Sequence, residues 1–117
     1  MTESASGQGS LPTRERVIEL RDFIHGRTYA AVALTIRIDG ESPHAPESDL
    51  ARVAEASQAL YQVTSHLCRR LLAELATGRP GSVAEASWEA LISISEAWRE
   101  DRDLPEGMRE LMPVMPR

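Results

Sequence analysis

The sequence predicts an all-α protein: an antiparallel three-helix bundle with a short C-terminal helix and a disordered N-terminal tail. Three observations carry this reading. Apolar residues recur at helical spacing through two long stretches, residues 13–38 and 48–77. Ser82-Val83-Ala84-Glu85 has the form of a capping box, in which a hydroxyl and a carboxylate each satisfy one free amide at the start of a helix. The segments between, DGESPHAPES at 39–48 and GRPGS at 78–82, are short and built of Gly and Pro.

The polar, Ser- and Gly-rich residues 1–11 predict the tail, residues 12–112 the bundle and residues 113–117 an extended exit. The first helix is expected over Thr13–Ile38. With Leu20 set to zero and 100° per residue, Val17, Phe23, Ile24, Ala30, Ala31, Leu34 and Ile38 fall within about 80° of it, in phase across Gly26. The alternation of Leu34, Ile36 and Ile38 with Thr35, Arg37 and Asp39 also fits a half-buried strand. Helix is the better reading, because the phase holds over seven turns and no partner strand is visible. The second helix is expected over Ser48–Thr77, with Leu50, Val53, Ala56, Leu60, Val63, Thr64, Leu67, Cys68, Leu71 and Leu75 on one face. Glu55, Gln62, His66, Arg69 and Ala73 lie opposite. Gly78 and Pro80 end it. The third helix is expected over Ser82–Glu100, with a broad apolar arc through Val83, Trp88, Leu91, Ile92 and Trp98. Its solvated stripe is Glu85, Glu89, Glu96 and Glu100. Asp103 and Pro105 open a short last helix that reaches Met112.

A chain of 117 residues fits one domain with one core. The single cysteine, Cys68, leaves no intramolecular disulfide. The first sixteen residues carry Glu3 and lack an apolar segment, so they do not read as a signal peptide. The longest nearly apolar run, Tyr29–Leu34, is too short to span a membrane. The expected location is the cytoplasm. All thirteen basic residues are arginine, and lysine and asparagine are missing, a bias that suits a GC-rich bacterial genome. A net charge of −5 and few aromatics disfavour nucleic acid as a partner.

No catalytic residues emerge from the pattern. His66 and Cys68 stand two residues apart on a helix, about 200° around its axis, so they cannot share a metal. No cofactor or metal is expected. Arg27 falls inside the apolar stripe of the first helix. A guanidinium there needs an acid on a neighbouring element or a bound anion, which makes Arg27 a candidate ligand-binding residue. A second stripe on the same helix, Ile18, His25, Tyr29, Val32 and Ile36, lies 120–180° from the first and suggests a further interface. The expected function is therefore a non-enzymatic regulatory or protein-interaction module, a helical homodimer or a subunit of a hetero-complex. The alternative is a small-molecule-binding helical protein or enzyme with a pocket between helices, an accessory protein of a biosynthetic pathway.

Overall fold

The computed structural model describes residues 11–41 and 49–113. Residues 1–10 of the expected tail, residues 42–48 of the expected loop and residues 114–117 lie outside that range, while Asp39–Glu41, expected in the loop, belong to the first helix. The chain is an all-α bundle, with four helices among the described residues: α1 Arg14–Glu41, α2 Asp49–Ala76, α3 Ser82–Ser95 and the short α4 Met108–Leu111. A 3₁₀ turn, Glu96–Trp98, continues α3. The helix–strand ambiguity at residues 29–38 resolves as helix. A strand needs a partner ladder, whereas α2 lies along this stretch and rewards the helical phase instead. Among the described residues no helix is long and apolar enough to cross a membrane.

The core sits at one end of the bundle. Val17, Leu20 and Ile24 of α1 meet Cys68 and Leu71 of α2, and Ala84, Trp88 and Leu91 of α3. Leu104, Met108 and Met112 close the remaining side. Each fully buried Leu contributes about 1.5–3 kcal/mol of transfer free energy. The expected centre of the second helix shifts slightly. Thr64, Cys68 and Leu71 are fully buried, while Leu67 only packs against their edge. Val83, expected in the apolar arc of the third helix, is exposed.

The turn between α2 and α3 follows its sequence, with one correction. Gly78 adopts φ +74, the left-handed conformation that ends a helix. The Thr77 hydroxyl donates to the Glu74 carbonyl and accepts from the Arg79 amide. The capping box at Ser82 does not form: Gly81 is the N-cap, and no side chain caps the helix. The Glu85 amide is satisfied by the Gly81 carbonyl at 3.2 Å, so the helix begins one residue before the hydroxyl can act.

The third helix also stops short of Glu100. The buried Ser95 hydroxyl donates to the Ile92 carbonyl at 2.8 Å and competes with the helical ladder where it tightens to 3₁₀. Beyond it the chain folds back, held by arginines. Arg109 donates to the carbonyls of Arg99 and Asp101, and Arg99 to that of Pro113, all within 2.7 Å. Gly107, at φ +88, leaves room for Arg16; a Cβ there would lie 3.0 Å from its guanidinium.

The 14 residues of α3 are half the 28 of α1 and of α2. Among the residues whose burial is described, Thr28 is the last buried one on α1 and Thr64 the first on α2. Past these two residues α1 and α2 continue as a two-helix arm over residues 29–41 and 49–63.

Candidate functional site

Arg27 sits where the arm leaves the core. Its Nε and one Nη donate to the two carboxylate oxygens of Asp101 at 2.7 and 2.8 Å, and the same Nη reaches Asp103 at 3.1 Å. The guanidinium lies 4.7 Å from the centre of the Phe23 ring, and Phe23 meets Trp98 edge-on. The hydrogen bonds from Arg27 and from the Asp103 amide hold the Asp101 carboxyl down at about 2, and Arg27 rises above its ordinary value in return. A bidentate pair of this kind fixes a direction as well as a distance. Arg27 thus pins the segment after α3 to α1, with its Nε and Nη2 taken by acids of this chain.

The second stripe of α1 divides. His25 turns toward α2, where its ring stacks on Tyr61 at 4.0 Å between centres. Its Nε2 lies 3.0 Å from the Ser65 hydroxyl, and it hydrogen-bonds the Tyr61 backbone. Ile18 and Val32 are half-buried, whereas Tyr29 is 68% exposed. The side chain of Ile36 lies outside the described part of the structure. The stripe is therefore not one flat surface.

Beside His25 an open cleft of about 430 Å³ runs along the seam of α1 and α2, lined by Arg21, Asp22, His25, Ser65, Cys68, Arg69 and Leu72. Arg21 donates through Nε and Nη2 to one oxygen of Asp22. Arg69 is exposed and has no ionic partner among the described residues. Burial, and then the nearby Arg21, push the His25 imidazole below its ordinary value, so it is held neutral. Burial likewise pushes the Cys68 thiol up to about 11, which makes it a poor nucleophile near neutral pH. His66, two residues from Cys68, is exposed and points to Arg70, so the two do not converge. Among the described residues no group of three or more His, Cys, Asp or Glu side chains could hold a metal ion.

The third feature is the arm. Val53 stands 11 residues from Thr64, three helical turns and nearly the same phase, yet it is 50% exposed while Thr64 is fully buried. Leu34 stands 14 residues from Leu20 and is 47% exposed against 0%. The face that α3 covers near the core thus runs on uncovered, with Val63 also exposed beside it. No charged residue occurs from Thr28 to Ile36 or from Ala56 to Ser65. The exposed face was missed in the sequence because helical phase assigned Leu34 and Val53 to a core. Ser65 and Tyr61 were missed because only antiparallel pairing sets them beside His25. Comparison of the chain with known protein families, with curated proteins and with solved structures gives no match.

Proposed function

We propose that the chain is a non-enzymatic interaction module that works in the cytoplasm as a homodimer joined through its two-helix arm. The observation that carries this is the uncovered continuation of the buried face through Leu34, Val53 and Val63. Two helices of about 14 residues give a face roughly 21 Å long and are marginally stable without a partner. The stretch Thr28–Ile36 is apolar at all but its two threonine positions, the pattern of a helix covered on more than one side. A second copy laid across a two-fold axis supplies two more helices and completes a four-helix bundle. Such a contact buries on the order of 1,000 Å² in total, near the lower bound for a specific interface, so the dimer should dissociate in the micromolar range.

Analytical ultracentrifugation tests this directly. Wild type should show a reversible monomer–dimer equilibrium. Leu34→Glu combined with Val53→Glu should be monomeric with an unchanged circular dichroism spectrum, since both side chains are already half in water. A wild-type monomer at about 100 μM, far above the expected dissociation range, or a dimer indifferent to the double substitution, overturns the proposal.

A further inference from the structure

The cleft between α1 and α2 has a use that the arm does not explain. Two arginines from different helices, a hydroxyl and an imidazole converge on about 430 Å³ of open space. Arg21 spends Nε and Nη2 on a single oxygen of Asp22, which leaves its other Nη free to donate. Arg69 is exposed, and among the described residues none accepts from its guanidinium. The Ser65 hydroxyl is oriented by His25 at 3.0 Å, and His25 is in turn fixed by its stack on Tyr61. The arginines give the cleft a positive excess in a chain of net charge −5, because Asp22 is its only acid. Guanidinium groups are the preferred partners of tetrahedral oxyanions, which they meet through forked donors. The apolar wall formed by Leu72 and the Cys68 side chain leaves room for a small organic body beyond the anion.

We infer that this cleft binds a small phosphate-bearing anion, held between Arg21 and Arg69 beside the Ser65 hydroxyl, with the His25 ring close enough to sense it. The inference is independent of dimerisation through the arm, because the residues involved are separate.

Inorganic phosphate is the probe, and the His25 imidazole resonances are the readout. The groups around that ring are Arg21 and Asp22 from α1, and Tyr61, Cys68 and Arg69 from α2; an anion bound among them favours the protonated ring. Saturating phosphate should raise the His25 titration midpoint by roughly half a unit, about threefold in proton affinity, over chloride of equal ionic strength. Acetate should do less. Arg69→Gln, at an exposed position that leaves the fold intact, should weaken phosphate binding at least about fivefold, while Arg79→Gln in the distant turn should not. A His25 midpoint that phosphate moves no more than chloride does, or moves equally in Arg69→Gln, overturns the inference.

Discussion

Leu20 and Leu34 occupy almost the same phase of α1, so truncating each to Ala separates helical pattern from tertiary cover. Leu20 is fully buried among the side chains of α1, α2 and α3, where little can collapse into the space left behind. Leu20→Ala should cost about 2–5 kcal/mol, transfer energy plus cavity. Leu34 already has 47% of its surface in water. Its truncation loses about half the transfer term and leaves no enclosed cavity, so it should cost under about 1.5 kcal/mol. Urea unfolding followed by circular dichroism measures both. At a slope of about 1.5 kcal/mol/M, Leu20→Ala should lower the midpoint by about 1.3–3.3 M and Leu34→Ala by less than about 1 M. The experiment belongs at submicromolar protein, below the expected dimer range, since above it Leu34→Ala should also lose interface. Equal costs for the two substitutions at low concentration would refute the picture of an uncovered arm.

Three further outcomes follow from single side chains. The Asp101 carboxyl falls to about 2 in the fold from an ordinary 3.8, so its contribution is complete above pH about 3.8 and is lost as pH falls toward about 2. Acid unfolding of wild type should show that loss, and Asp101→Asn should remove it from the profile. Cys68, buried and with its thiol pushed up to about 11, should resist a thiol reagent at pH 8 in the native state and react at once in denaturant. Thr64 Oγ1 is buried without a hydrogen-bond partner, so Thr64→Val should be neutral or stabilise by up to about 1 kcal/mol in thermal unfolding. Marked destabilisation there would mean that the hydroxyl has a partner.

Local chemistry alone settled much of this architecture. The phase of α2 separates its buried Thr64, Cys68 and Leu71 from its exposed Glu55, Gln62, His66, Arg69 and Ala73 as read from the sequence, because a regular helix keeps its period, but Val53, Ala56 and Val63, read on the same apolar face, are exposed. The Gly78 turn was legible for the same reason: few residues tolerate a left-handed backbone. The capping box failed because whether Ser82 caps depends on where the preceding turn places Gly81. Arg27 was recognisable as a cation in need of a partner. That the partners would be Asp101 and Asp103, 74 and 76 residues away, depended on the chain folding back after Ser95. The cleft around His25 depends on the pairing of α1 with α2, which no periodicity within one helix records. The length of α3 against its neighbours decided which apolar residues are core and which are surface. Helical phase states the direction in which a side chain points, and only the tertiary structure determines whether anything stands there to cover it.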